Sequence, residues 1–147
     1  MDRALICSWY EQYKNGIYRY AFTITGDAHL AEDILHDTFL KALSGKHTFA
    51  PEKAQAWLYR VARNLCYDYL RREKREESYL QPPAYPENSY AYIEMIASLS
   101  PKDREIVTLK IVGGLTHREI GAVLGITAKA AQKRYERAIA ALRDKEE

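Results

Sequence analysis

Residues 100–143 read SPKDREIVTLKIVGGLTHREIGAVLGITAKAAQKRYERAIAALR, and this stretch decides the fold. Ser100 supplies an N-cap and Pro101 stands at the first helical position, where a missing N–H costs nothing, so a helix opens there and runs through Ile111. Thr116-His117-Arg118-Glu119 matches the capping box S/T-x-x-E and starts a short helix, HREIGAVL. Gly125 ends it, and Thr127 caps a last helix reaching Leu142 or Arg143. Helix, three-residue turn containing glycine, then helix is the helix-turn-helix layout.

Upstream of this block, residues 78–90, SYLQPPAYPENSY, hold three of the five prolines and show no helical period. They read as a linker. Before the linker, Asp27 caps a helix through HLAEDILHDTFLKAL, whose Ala31, Ile34, Leu35, Thr38 and Ala42 follow the three-and-four spacing of a buried stripe. A longer helix is expected from about Lys53 to Glu76. The expected architecture is therefore all-α: two small helical domains, 1–77 and 91–147, joined by a proline-containing linker at 78–90, the second domain being the helix-turn-helix.

Composition agrees. The chain has 147 residues, 47% of them hydrophobic and 29% charged, with only 7 Gly and 5 Pro, values suited to packed helices rather than a loop-rich or all-β fold. Its 22 Lys+Arg nearly cancel its 20 Asp+Glu, which excludes a uniformly basic nucleic-acid coat protein. The charge is nevertheless segregated: residues 26–45 carry four acidic groups against one basic, 46–77 eight basic against five acidic, and 100–147 ten basic against seven acidic. Cys7 and Cys66 lie far apart without CxxC spacing, and His29, His36, His47 and His117 form no HxxxH or HExxH pattern, so reduced thiols and no metal site are expected. The apolar run Ala4 to Cys7 is too short for a signal-peptide core or a membrane span, which places the protein inside the cell with no membrane insertion. No Gly-rich phosphate loop, nucleophile motif or paired-carboxylate spacing stands out, so neither an enzyme acting by itself nor a cofactor is expected.

Three helix faces carry chemistry. On the last helix, with Lys133 at zero, Lys129, Glu136, Arg137 and Ala140 fall within about 60°, while Ala131, Tyr135, Ala138 and Leu142 lie opposite. Such a helix can pack its apolar side on the shorter helix and lie in the major groove, where Lys129, Lys133 and Arg137 reach bases or phosphates with Gln132 and Arg134 at the edges. A solvated basic surface would present the same face. On the long helix, Lys53, Arg60, Arg63, Asn64, Tyr67, Arg71 and Lys74 share one stripe, opposite Ala54, Leu58, Val61, Leu65 and Tyr69. Cations neutralise phosphate, an amide can read a base edge, and a ring can stack on an unpaired base. Trp57 at the edge of the apolar side reads as a core anchor. The third face is acidic: Glu32 and Asp33 suit a helix N-terminus, but Asp37 stands one i,i+4 step beyond Asp33, where like charges repel. That unfavourable pair, with His36 and Leu40 beside it, suits a basic protein partner; a solvated helix face is the plain alternative.

Three stretches in this order, DAHLAEDILHDTFLKAL, WLYRVARNLCYDYLRREKR and residues 99–143, closely resemble bacterial RNA polymerase sigma factors of the extracytoplasmic-function (ECF) group of the sigma-70 family. The resemblance covers nearly the whole chain. It implies a cytoplasmic initiation subunit that binds core RNA polymerase and directs it to promoters, with an anti-sigma factor as a further partner. Glu32, Asp33, His36, Asp37, Phe39 and Leu40 fall in the segment that docks on the clamp helices of the polymerase β′ subunit, with His36 where glutamine is usual. Phe49, Lys53, Arg60, Arg63, Asn64, Tyr67, Arg71 and Lys74 fall where the family opens and reads the minus-10 element, Asn64 and Phe49 forming the pocket for an extruded base. Lys129, Gln132, Lys133, Arg134, Glu136 and Arg137 fall where it reads the minus-35 element, Glu136 at a position often apolar or basic. Residues 99–142 also resemble the helix-turn-helix output domain of the LuxR type, which makes a polymerase-independent DNA-binding regulator the alternative.

Overall fold

A computed structural model describes residues 3–45, 51–73 and 90–146. Among these it forms α1 (Arg3–Thr25), α2 (Ala28–Leu43), a short 3-10 turn (Pro51–Lys53), α3 (Ala54–Glu73), α4 (Tyr90–Ile96), α5 (Pro101–Ile111), α6 (His117–Leu124) and α7 (Ala128–Glu146), and no strand. The linker assigned to 78–90 lies outside the described residues apart from Tyr90, which opens α4.

In the first half α1, α2 and α3 pack pairwise. α2 begins where expected: the Asp27 side chain accepts from the Leu30 N–H at 3.1 Å. Its buried stripe is Leu30, Ala31, Ile34, Leu35, Thr38, Phe39 and Ala42, and the Thr38 hydroxyl, denied water, donates to the Ile34 carbonyl at 2.7 Å. Two helices were not expected from the sequence, α1 and α4. α1 buries Ile6, Trp9, Ile17, Tyr20, Ala21 and Phe22 against α2, α3 and α5. α3 buries Ala54, Leu58, Tyr59, Ala62 and Cys66, and it begins as an α-helix at Ala54, one residue later than expected. Tyr69, placed on the apolar side by the helical wheel, is exposed.

In the second half the capping signals hold. Ser100 accepts from the Asp103 N–H, and both arms of the box between Thr116 and Glu119 are made, at 3.1 and 3.0 Å. Gly125 adopts φ 73°, a left-handed conformation that glycine enters without a Cβ penalty, and Thr127 then accepts from the Ala130 N–H at 3.0 Å. Gly121 is required for a different reason: a Cβ there would stand 2.5 Å from the Ile126 carbonyl oxygen, so the turn closes on bare backbone. α7 packs on both α5 and α6 through Ala131 and Ala138, and it extends beyond Arg143 to Glu146.

The two halves pack on each other. α1 packs on α5 and α3 on α6, and a continuous set of buried side chains runs through all of them. Tyr59 sits at the seam: its ring lies 5.5 Å from that of Tyr20, and its hydroxyl end occupies the space that a Cβ at Gly16 would need. Gln55 crosses the seam by donating to the Gly113 carbonyl at 2.7 Å.

Candidate nucleic-acid and protein interfaces

The acidic face of α2 is a surface. Glu32, Asp33, His36 and Asp37 are all exposed, and Leu40 and Leu43 beside them are exposed at 61% and 46%. Carboxylates in the turns before two uncovered leucines set an acidic patch beside an apolar one, a pairing suited to a protein contact. Phe39 is a correction to the expected set: it is buried, 5.1 Å edge-to-face from Tyr10, because it follows Leu35 by four residues on the inward side. It shapes the face from beneath.

On α7, Lys129, Gln132, Lys133, Glu136 and Arg137 are exposed and Arg134 is half-buried. The expected face is thus present as one stripe opposite Ala131 and Ala138. Within it Gln132 donates from Nε2 to Glu136 at 3.1 Å, so the carboxylate is held by an amide one turn back. Lys133, Glu136, Arg137 and Ala140 line a shallow depression along the stripe.

The α3 stripe divides. Lys53, Arg60, Asn64 and Arg71 are exposed, and Arg71 pairs with Asp68 one turn back. Arg63 and Tyr67 turn instead toward the second half, where Glu105 of α5 accepts from Arg63 Nε at 2.9 Å and from the Tyr67 hydroxyl at 2.5 Å. The Arg63 guanidinium also lies 4.7 Å above the Tyr67 ring. Both had been expected on an open DNA face; Arg63 Nε and the Tyr67 hydroxyl are instead held by Glu105, while the two side chains still line a surface depression with Asn64, Asp68 and Arg71. Phe49 and Lys74 lie outside the described residues, as does most of the loop expected to hold the extruded base.

Glu105 is the residue that sequence reasoning missed. It is buried, and its first oxygen also accepts from the Tyr20 hydroxyl at 2.7 Å. The field of this carboxylate appears in its neighbours. Burial and then Glu105 push the Tyr20 and Tyr67 hydroxyls well above their ordinary range. Burial opposes the Arg63 charge, yet Glu105 raises that guanidinium overall. Arg118 of α6 was also missed. It shares a cleft between α3 and α6 with Lys53, Arg60, the edge of Trp57, Glu52 and Glu119. No helix among the described residues is long and apolar enough to cross a membrane.

Comparison with known proteins gives these faces a context. The family model for sigma-70 region 2 matches residues 9–76, and that for sigma-70 region 4 matches residues 89–142. The chain is 33% identical over 162 residues to ECF RNA polymerase sigma factor SigE of Mycolicibacterium smegmatis, covering 97% of this chain and 63% of that protein. It is 31% identical over 131 residues to ECF RNA polymerase sigma factor SigM of Bacillus subtilis, covering 80% of each. It thus spans less than two thirds of SigE and most of SigM. Among solved structures, the sigma factor RpoE in complex with the anti-sigma factor NepR from Bartonella quintana superposes with a TM-score of 0.70 at 20% identity, covering 93% of this chain and 95% of that one. At that identity the likeness shows the fold alone.

Proposed function

The chain belongs to the ECF group of the sigma-70 family, and from that premise we propose that it binds core RNA polymerase through α2 and carries it to promoters through α3 and α7. The observation that carries this reading is one of order and sign. The segment matching region 2 contains the acidic, leucine-centred face, and the segment matching region 4 contains the basic stripe on the second helix of a helix-turn-helix. An acidic docking face and a DNA-reading face in one chain suit a subunit that bridges two partners. The LuxR-type alternative explains only residues 99–142, leaving the region 2 match and its acidic face without a role.

In this reading Glu32, Asp33, His36, Asp37 and Leu40 meet the β′ clamp helices. Carboxylates at the rim speed encounter with a basic surface and fix its register, and Leu40 supplies the apolar contact. Lys53 of the 3-10 turn and the exposed part of α3, Arg60, Asn64 and Arg71, take the minus-10 element. Unstacking a base costs a few kcal/mol, which base-edge hydrogen bonds and stacking offset. α7 takes the minus-35 element: Lys129, Lys133 and Arg137 neutralise phosphate, while Gln132 and Glu136, already bonded to each other, read base edges as a unit. A carboxylate there favours cytosine N4 as donor. Bond formation belongs to the polymerase, so the chain itself supplies no catalysis and acts in the cytoplasm. An anti-sigma factor, such as the one bound to the RpoE structure, is a further expected partner.

Asp33→Lys tests the docking face. Asp33 is exposed, so the helical signal should be retained while co-purification with core polymerase is lost. Undiminished co-purification would remove α2 from the interface.

A further inference from the structure

Glu105 spends a buried carboxylate on partners that all come from the other half of the molecule. Its oxygens accept from Tyr20 of α1 and from Arg63 and Tyr67 of α3, and its side chain is 4% exposed. A buried carboxylate is costly unless it is paired and its lone pairs are satisfied, so this residue favours the closed arrangement of the halves over an open one only through these three donors. A guanidinium and tyrosine hydroxyls are also the donors that take a phosphate. The Arg63 Nε–H and the Tyr67 hydroxyl hydrogen cannot serve Glu105 and DNA together.

We propose that Glu105 is an intramolecular stand-in for a DNA phosphate: it occupies Arg63 Nε and the Tyr67 hydroxyl, latches α5 against α1 and α3, and keeps those donors off DNA until the halves separate. The inference rests on the reading of α3 as a DNA-facing helix. It divides the α3 stripe into groups available in the closed chain, Lys53, Arg60, Asn64 and Arg71, and groups released only on opening. The bond from Gln55 to Gly113 lies on the same seam and closes with it. The partner that opens the latch must therefore compete for the seam itself, either by binding one half in a position the other occupies or by offering phosphates to Arg63.

Full-length wild type, Glu105→Ala and Glu105→Gln are compared without polymerase, by small-angle scattering and by binding to a labelled bubble duplex over a range of salt. Circular dichroism confirms helical content, and if Glu105→Ala fails to fold, the shape-conserving Glu105→Gln carries the test. The closed wild type should show a radius of gyration of about 15 Å, as expected for a compact chain of this length. Glu105→Ala should raise it by at least about a fifth, and Glu105→Gln, which loses the charge but keeps an acceptor, by less. DNA affinity should rise at least about fivefold in Glu105→Ala, with a salt slope steeper by about one for the freed Arg63. Folded variants as compact as wild type would overturn the latch, and opening without tighter DNA binding would overturn the phosphate role. Transcription by wild type with core polymerase is scored separately: its absence would strike the proposed function while leaving the compaction result standing.

Discussion

Gly121 shows how much one residue can decide. Replacing glycine by alanine inside a helix ordinarily gains up to about 1 kcal/mol. Here the added Cβ would meet three backbone atoms of the following turn, at 2.5, 3.2 and 3.3 Å, none of which can swing away. Overpacking of that kind costs about 1–3 kcal/mol, so Gly121→Ala should lower stability by about 1–2 kcal/mol in urea unfolding. Cys66 gives a second residue-scale expectation. Burial, reinforced by the charge of Glu105, pushes its thiol up to about 12, whereas Cys7 is exposed. Only the thiolate is nucleophilic, so at pH 8 a thiol reagent should modify one cysteine of the native chain quickly and the second only after denaturation. Two fast-reacting thiols would contradict the packing of α3 on α1. Side-chain roles at this scale were partly legible in the sequence. A helical wheel centred on Arg60 put Arg63 and Tyr67 on one stripe with Arg60, Asn64 and Arg71, which are exposed, but it has no means of knowing that a carboxylate far along the chain faces Arg63 and Tyr67. Phe39 was misplaced because family position says which segment docks, not which side of the helix each residue takes.

At the scale of the element, caps were the most legible features because they are local chemistry. Asp27, Ser100, Thr116 with Glu119, and Thr127 each accept the backbone N–H expected of them. Thr116→Ala removes one arm of its box and should cost about 1 kcal/mol, read as a lower thermal midpoint with unchanged helical content below it. α1 was not legible for the converse reason. It has neither an acidic first turn nor a basic last turn, and its Tyr-rich apolar residues spread around the helix because three different elements cover it. Its buried side is defined by tertiary contact, not by a clean polar opposite. α7 had the clearest face and carries the clearest functional prediction. Lys133→Ala should weaken minus-35 DNA binding and reduce the salt slope by about one, the loss of one phosphate contact. Lys133 is exposed, so this substitution should leave the helix-turn-helix melt unchanged.

For the whole molecule, the near-zero net charge conceals a division of labour. The four carboxylates of residues 26–45 offset basic segments on either side, and folding brings the acidic α2 face and the basic α7 stripe out as separate surfaces. The sequence showed the two blocks and their order. It did not show that they close on one another, because the seam depends on Tyr20, Tyr59, Arg63, Tyr67 and Glu105, which come from three helices and share no local period. On the proposed function, this chain converts core polymerase into a promoter-specific enzyme. The most direct measurement is run-off transcription by core polymerase on templates drawn from the genome that encodes the chain, with and without the protein. The account predicts a discrete set of transcripts that appear only with the protein and vanish with Asp33→Lys. The same transcripts in its absence, or DNA binding with no protein-dependent transcript, would contradict it.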